Sequence, residues 1–461
     1  MDPWSRCCAR GLAITAAISL AGCVGTARVA PGEPPAPGGS AGPTISSFTA
    51  QPPTVAAGER TTLSWSTTDA TSLSIDNGVG DVTGQASRIV VLSSTTSYTL
   101  TATNAVTSTR QSFTVVVTAQ RPGTWVNVTP AQISLNGSDF GGANFGTQTI
   151  GLSTANPQIV YFGTCYQGIW KTTNSGELWT KVNTGANGDN LDSGRNWTLA
   201  VDPSDPNTLY TVAGYGGAQG IWKSTNGGVD WTQMMSQDLT SSTSADIYSI
   251  AIDPRDSQHL LVGFHSPWQG SGNAGVLESR DGGRTWIQHP SAGPWGAGHY
   301  VMFVDSATWI LATQVAGLWR TTDSGGTWAQ VSTENMQHGG EQLYQSSDGS
   351  LYIGSVQRLL RSTNRGVSWA AVQGLPSTPD GYNAVIGDGT FLYASPANTG
   401  STSDGSQRPY YYSLESDGIT WRAFNGQVFI DGPMSMAMDG PHQILFSSNW
   451  RAGVWRLVTG H

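Results

Sequence analysis

The sequence predicts an all-β protein: a seven-bladed β-propeller preceded by a small β-sandwich. The first observation is a motif, Ser/Thr-x-Asp/Asn-x-Gly-x-x-Trp, that returns six times in intact or degraded form, with its tryptophans 41 to 55 residues apart: Trp179, Trp231, Trp286, Trp328, Trp369 and Trp421. That spacing fits one four-stranded blade per repeat. The second observation is composition. Glycine accounts for 58 of 461 residues and charged residues for 11%, which is typical of a turn-rich β protein.

Each copy of the motif describes a tight turn followed by an anchor. In the first copy, the short polar side chains of Thr172 and Asn174 can bond back to their own backbone, and Gly176 tolerates a positive φ. Trp179 is then expected to pack between neighbouring sheets. The motif is therefore interpreted as structural, because side chains repeated in six blades cannot all share one active site.

Counting strands rather than motifs adds a seventh blade. Residues 434–439, 443–447 and 453–457 read as three strands with no motif after them. The missing fourth strand is predicted at residues 124–128, at the other end of the domain. The two ends would then join in one blade and close the ring.

The N-terminal residues 1–23 read as an export signal. Arg6 and Arg10 precede an apolar run over residues 11–21, which ends in Leu20-Ala-Gly-Cys23. This ending resembles a bacterial lipobox, so Cys23 is expected to carry lipid and to anchor the chain to the cell envelope without crossing the membrane. Plain secretion is the alternative. Residues 24–44, rich in Pro, Gly and Ala, are predicted to be a flexible linker.

Residues 45–118 alternate short apolar strands with turn residues, which predicts an antiparallel sandwich with Trp65 in its core. The segment resembles the immunoglobulin-like modules attached to many exported bacterial enzymes, where it would act as a spacer. Residues 119–124 form a second linker. The propeller is assigned to residues 125–461.

The net charge and the cysteine content argue against several classes of binding partner and of stabilising cross-link. A net charge of −9 argues against a general nucleic-acid binder, because the phosphate backbone demands a basic surface. Only Cys165 remains after the signal and Cys23, so neither a disulfide framework nor a cysteine metal cluster is expected. No cofactor is predicted.

Strand order locates a candidate site. In a blade, the loop entering the first strand and the loop leaving the second open at one end of the ring, near the axis; we call this end the mouth. Predicted catalytic residues there are His265, His299, His338 and Tyr382. Predicted substrate-binding residues are Arg195, Arg358, Arg451, Trp450, Tyr300 and Asp431. His259, His289 and His442 fall elsewhere and are interpreted as ordinary surface residues.

These residue types favour a carbohydrate site. Histidine suits proton transfer near neutral pH, an aromatic ring stacks on a sugar, and a guanidinium pairs with a carboxylate. The leading hypothesis is a lyase acting on a uronate polymer. Arg195 or Arg451 would hold the carboxylate, His299 or His338 would be the base, and Tyr382 or His265 the acid, with Asp431 orienting one histidine. Three converging histidines could instead bind a metal.

The motif copies resemble the Asp-box, or BNR-repeat, superfamily over residues 125–461, which includes sialidases, xyloglucanases and sortilin-type receptors. The chain lacks the Arg-Ile-Pro motif of the sialidases, and Cys165 stands where the xyloglucanase motif has a catalytic Asp. A glycoside hydrolase, xyloglucanase-like or sialidase-like, using Asp431 with Glu341 or Asp192, is the second hypothesis. A non-catalytic lipoprotein that binds a glycan or a protein is the third.

Overall fold

The computed structural model describes residues 42–336, 342–378, 381–397, 408–424 and 426–460. The predicted signal, Cys23, His338 and Glu341 lie outside these ranges. The chain from Gly42 onward forms one compact unit. Within the described ranges no helix has the length and apolar character needed to cross a membrane.

The first eight strands form two sheets around a common core. In chain order they are β1 (Thr44–Gln51), β2 (Thr54–Ala56), β3 (Arg60–Thr68), β4 (Ser72–Ile75), β5 (Gly80–Asp81), β6 (Ser87–Val91), β7 (Thr96–Thr103) and β8 (Ser108–Thr118). One sheet has the order β1-β3-β6 and the other β2-β8-β7-β4-β5. Trp65 is buried between them, with its ring 6.5 Å from that of Phe48 and its indole N–H donated to the Gln85 carbonyl at 2.9 Å.

Twenty-eight further strands form seven four-stranded antiparallel sheets in the described residues. They are β9 (Trp125–Asn127), β10 (Thr147–Ser153), β11 (Asn156–Thr164), β12 (Ile169–Thr172), β13 (Thr180–Lys181), β14 (Gly194–Val201), β15 (Leu209–Gly216), β16 (Gly220–Ser224), β17 (Thr232–Gln233), β18 (Ile247–Asp253), β19 (Asp256–Phe264), β20 (Val276–Ser279), β21 (Ile287–His289), β22 (His299–Phe303), β23 (Trp309–Thr313), β24 (Leu318–Thr321), β25 (Ala329–Ser332), β26 (Tyr344–Gln345), β27 (Leu351–Gly354), β28 (Leu359–Ser362), β29 (Ala370–Ala371), β30 (Tyr382–Gly387), β31 (Phe391–Pro396), β32 (Tyr411–Leu414), β33 (Arg422–Ala423), β34 (Ser435–Asp439), β35 (Ile444–Ser448) and β36 (Val454–Val458).

Six of the sheets take four consecutive strands, and the seventh joins the two ends of this region. Its order is β34-β35-β36-β9, with Trp125 paired to Leu457 and Asn127 to Trp455. The first strands of successive sheets pack side by side, as β10 does against β14, and β10 also packs against β34. The first and the last sheet are therefore neighbours, as in a propeller-like fold. The only helical segments in the described residues are short: Asp139–Gly142, Gly188–Asp192 and Gln237–Ser242.

The repeated motif forms the turn between the third and fourth strands. In the third copy, the Ser279 hydroxyl donates to the Asp281 carboxylate at 2.9 Å and accepts the Gly283 N–H at 2.8 Å. Hydrogen bonds from the Thr285 hydroxyl and N–H lower the pKa of Asp281 to about 2. The Asp281 carboxylate therefore forms its hydrogen bonds within its own turn. The Trp231 of the preceding copy is 1% exposed.

Candidate functional site

The loops that enter first strands and leave second strands do meet at one end of the sheets. Two isolated backbone bridges join them, between Cys165 and Arg195 and between Thr147 and Trp450. Cys165 follows β11 and Trp450 follows β35, whereas Arg195 and Thr147 stand at the starts of β14 and β10. The mouth is therefore a continuous surface across neighbouring sheets.

Arg195 lies at the mouth inside a box of aromatic rings. Its guanidinium carbon is 4.0 Å from the centroid of Phe145, 4.5 Å from that of Tyr215 and 5.6 Å from that of Trp197. Cation–π attraction of this kind holds a guanidinium in place without neutralising it. Among the described residues, no carboxylate oxygen lies within 4.0 Å of this guanidinium. Its Nε is buried with no hydrogen-bond partner in the same part of the chain.

Beside Arg195, three polar side chains form a hydrogen-bonded set, which we call the Asp246–His265–Tyr215 set. His265 Nδ1 is 2.9 Å from Asp246 Oδ2, and the Tyr215 hydroxyl is 3.2 Å from Nδ1 and 3.3 Å from Nε2 of the same ring. The Ser266 hydroxyl also donates to Asp246, at 2.6 Å. His265 and Asp246 side chains remain 16% and 14% exposed, so solvent and small groups reach them.

The electrostatics of the set keep the carboxyl ionised and the phenol protonated. Burial acts to raise the pKa of Asp246, but hydrogen bonds from His265 and Ser266 outweigh it and the pKa is lowered. Burial, together with the Asp246 charge, raises the pKa of Tyr215. An ionised carboxylate that accepts from Nδ1 leaves Nε2 of a neutral imidazole as a proton acceptor. The arrangement can therefore transfer a proton.

Aromatic rings surround this set. Trp197 stacks on His265 with centroids 6.2 Å apart, and Tyr248 lies 5.0 Å from the same ring. Tyr300 lies 4.8 Å from Tyr248, and Trp450 lies 6.5 Å from Trp197. These four rings are at most 5% exposed and belong to the core, so the predicted substrate-binding residues Tyr300 and Trp450 support the site from beneath. The partly exposed rings beside Arg195 are those of Phe145 and Tyr215, and an aromatic face next to a few polar groups suits a sugar.

Two mouth residues also hold an unusual backbone conformation. Tyr215 and Trp450 have φ of 53° and 47°, in the left-handed region that bulky residues rarely adopt. Each stands at or just after the end of a second strand. Such conformations gather at functional sites.

Two of the predicted catalytic residues are buried in the core instead. His299, the first residue of β22, is 0% exposed and its Nε2 donates to the Trp295 carbonyl at 3.1 Å. Burial lowers its pKa to about 4. Tyr382, the first residue of β30, is also 0% exposed; its hydroxyl donates to the Pro376 carbonyl at 2.9 Å, and burial raises its pKa. Neither reaches the mouth, because the first residue of a paired inner strand already points between sheets.

The buried imidazole of His299 predicts a pH-dependent stability. Its pKa is near 6.5 in the unfolded chain and about 4 in the folded protein. Between these two pH values the unfolded chain binds a proton at His299 and the folded protein does not. The free energy of unfolding therefore falls as the pH falls from 6.5 towards 4. We expect the titration of His299 to lower the free energy of unfolding by ~2 kcal/mol between pH 7 and pH 5. In urea unfolding, His299→Gln should lose that part of the pH dependence, while Ser74→Ala, exposed on β4, should keep it. Equal pH dependence in all three proteins would contradict the expectation.

The other predicted site residues are paired with neighbours, buried, or outside the described ranges. Arg358 Nε is 3.3 Å from Glu334, and its Nη2 donates to Gln357 at 2.9 Å. Arg451 packs against Gly137, and Asp431 is buried, 2% exposed. His338 and Glu341 lie outside the described residues. Asp192 is engaged at 2.7 Å by Lys181.

Two of the three histidines interpreted as surface residues, His259 and His289, differ from that expectation. His259 is 1% exposed and lies 2.9 Å from Glu278 and 3.4 Å from Asp253. His289 contacts the other oxygen of Glu278 at 2.9 Å. Only His442, 2.8 Å from Asp439, is largely exposed. Loop counting places a residue at an end of the sheet, but side chains alternate faces along a strand, and this alternation turned His259 inward.

Sequence reasoning missed Asp246, Tyr215, Trp197 and Phe145. Asp246 directly precedes β18 and Phe145 precedes β10, so the same loop rule could have selected both. Tyr215 and Trp197 lie within strands, and nothing in the sequence sets them apart from core aromatics.

Cys165 is unsuited to nucleophilic chemistry. It is 0% exposed, its thiol donates to the Ala143 carbonyl at 2.9 Å, and burial raises its pKa. The thiol therefore stays protonated near neutral pH. Throughout the ranges that the structure describes, no three His, Cys, Asp or Glu side chains are grouped so as to hold a metal ion.

Taken together, these features define a propeller-like all-β protein with an aromatic and polar site at one end of its sheets. No family model matches the chain. Its curated relatives include a xyloglucanase of Hypocrea jecorina, 26% identical over 51% of this chain and 34% of that protein. This chain spans only between 18% and 34% of the length of the curated relatives it matches.

Solved structures agree on the fold. A GH74 xyloglucanase from Xanthomonas campestris superposes with a TM-score of 0.54 at 18% identity, covering 73% of this chain and 54% of that one. A catalytically inactive virginiamycin B lyase from Staphylococcus aureus, bound to quinupristin, gives 0.51 at 12% identity, covering 72% and 98%. At these identities the likeness concerns the fold alone, whereas the sequence matches identify xyloglucanase homologues.

Proposed function

We propose that this chain is a carbohydrate-active enzyme, a glycoside hydrolase that binds a polysaccharide across the mouth. One observation supports this most: the Asp246–His265–Tyr215 set, bordered by aromatic rings, lies at the mouth of a chain whose homologues are xyloglucanases. A polysaccharide would lie against Phe145 and Tyr215, the partly exposed rings beside Arg195. The preference for a hydrolase over a lyase follows from the homologues.

His265 is the proposed proton-transfer residue. Asp246 fixes the ring through Nδ1, so Nε2 can take a proton from a water whose oxygen bonds to the anomeric carbon. The glycosidic C–O bond breaks, and the departing sugar oxygen takes a proton from solvent, which reaches the site. Tyr215 stays protonated, because its pKa is raised, and it donates a hydrogen bond. This assignment replaces the carboxylate pair predicted from the sequence, since Asp431 is 2% exposed and Asp192 is paired with Lys181.

A lyase is the second candidate, because the same place holds a histidine, a tyrosine and a guanidinium that no carboxylate of the described residues pairs with directly. Those are the base, the acid and the cation that elimination at a uronate requires. The difference between the candidates lies in the product: a hydrolase releases a saturated sugar with a new reducing end, and a lyase releases an unsaturated one.

The test is incubation of the purified chain with xyloglucan, other neutral polysaccharides and uronate polymers. New reducing ends without ultraviolet absorbance support the hydrolase, whereas absorbing products would replace it with the lyase. Binding without any product would overturn both enzyme candidates in favour of a glycan-binding protein.

The architecture and location complete the proposal. We propose that the seven four-stranded sheets are the blades of one closed propeller with Asp-box turns, and that β1 to β8 form an immunoglobulin-like spacer. We also propose that the chain is an envelope lipoprotein anchored through Cys23, or is secreted. Radiolabelled palmitate incorporation, and its loss in Cys23→Ser, would distinguish these two locations.

A further inference from the structure

Arg195 is built to receive an anion through its edge. The centroids of Phe145 and Tyr215 lie 4.0 and 4.5 Å from the guanidinium carbon. Arg195 is only partly buried, so a ligand can meet the N–H groups in the plane of the guanidinium. Five N–H donors in one plane match the two oxygens of a carboxylate. Because the rings already fix the group, little conformational freedom is lost when an anion binds.

The charge of Arg195 is not neutralised by direct pairing. No carboxylate oxygen of the described residues lies within 4.0 Å of it. The nearby Asp246 is instead held by His265 at 2.9 Å and by Ser266 at 2.6 Å. Arg358, another predicted cation of the mouth, already contacts Glu334 at 3.3 Å. Since the chain carries a net charge of −9, this positive centre is a local feature rather than part of a basic surface.

Arg195 is also placed correctly for a substrate group. Tyr215 links it to the proposed proton-transfer residue, because the tyrosine ring lies against the guanidinium and its hydroxyl is 3.2 Å from His265. A sugar whose carboxylate rests on Arg195 would have its ring over Tyr215, which is partly exposed, and its neighbouring bond near His265.

We propose that Arg195 determines specificity by binding the carboxylate of an acidic sugar, so that the substrates are uronate-bearing polysaccharides. This inference rests on the proposed function and adds the substrate class. Arg451, which was the alternative from the sequence, packs against Gly137 and is not placed in the aromatic box.

The test compares polygalacturonate, alginate and hyaluronate with the carboxyl-reduced form of each, by calorimetric titration at low and high salt. We expect the wild type to bind at least one carboxylated polymer ~10- to 100-fold more tightly than its reduced form. Arg195→Gln should remove that preference and leave binding of the reduced form unchanged. Arg195→Lys keeps the charge but not the two parallel bonds, so part of the preference should remain.

Arg110→Gln, at an exposed position of β8, is the matched control and should keep the wild-type preference. Circular dichroism melting of each variant checks the fold. Equal binding of carboxylated and reduced polymers by the wild type would overturn the inference while leaving a polysaccharide-binding function intact. An Arg195→Gln variant that weakens both forms equally would also overturn it. Absence of binding to every polysaccharide, neutral ones included, would reject the proposed function itself.

Discussion

Replacing His265 with alanine is expected to lower the rate of polysaccharide cleavage about 100- to 10,000-fold, because the variant loses the group that moves the proton. Asp246→Asn should have a smaller effect, about 10- to 100-fold, since the asparagine still contacts the ring but no longer favours the tautomer with the proton on Nδ1. Both rates are measured by release of new ends from the polymer that the wild type cleaves.

The control is His442→Ala. This histidine is 44% exposed and bonded to Asp439 in the turn between β34 and β35, so its loss should not change the rate. All three variants should melt cooperatively, near the wild-type temperature. A His265→Ala enzyme with the wild-type rate would reject the assignment of the site.

Glu278→Gln is expected to lower the free energy of unfolding by about 3 kcal/mol at pH 7, because Glu278 is 2% exposed and bonds two histidines at once. Burial acts to raise its pKa, but the hydrogen bonds from His259 and His289 outweigh it and lower the pKa to about 2. A lowered folded pKa contributes stability above the unfolded value near 4.5, which is lost as pH falls towards 2. Urea unfolding at pH 7, 5 and 3 should therefore show the difference between the two proteins shrinking below pH 4.5.

The matched control is Glu177→Gln, whose carboxylate is 34% exposed and only 4.0 Å from Arg456. Its effect should stay below about 1 kcal/mol. If Glu278→Gln were as stable as the wild type at pH 7, or if the difference did not depend on pH, the buried network would have no role in stability.

The amino-acid pattern was sufficient for the class of fold. The repeated motif and the period-two alternation predicted an all-β chain of four-stranded sheets, and the structure has them. Even the pairing of the early segment at Trp125 with the last strands could be anticipated by counting strands. Local hydrogen bonding explains this success, because the motif residues Ser279, Asp281 and Gly283 bond mainly to one another.

The candidate site was predictable only in part. Loop counting selected Arg195 and His265, which do lie at the mouth. It also selected His299 and Tyr382, which are 0% exposed. The two histidines differ in their place relative to a strand. His265 lies one residue beyond the end of β19, whereas His299 is the first residue of β22 and pairs with Thr313. Side chains of adjacent residues in a strand point to opposite faces of the sheet. The exact residue at which a strand ends therefore decides the face, and a sequence pattern does not fix that residue.

By itself, the sequence determined the strands, their turns and the end of the sheets where polar residues gather, since these depend on neighbours along the chain. Only the tertiary structure decided that Asp246 orients His265, that three rings surround Arg195, and that His259 and His289 share Glu278. Those contacts join residues from different strands or from different sheets. Their distances depend on how the strands twist and pack, and no local pattern encodes that.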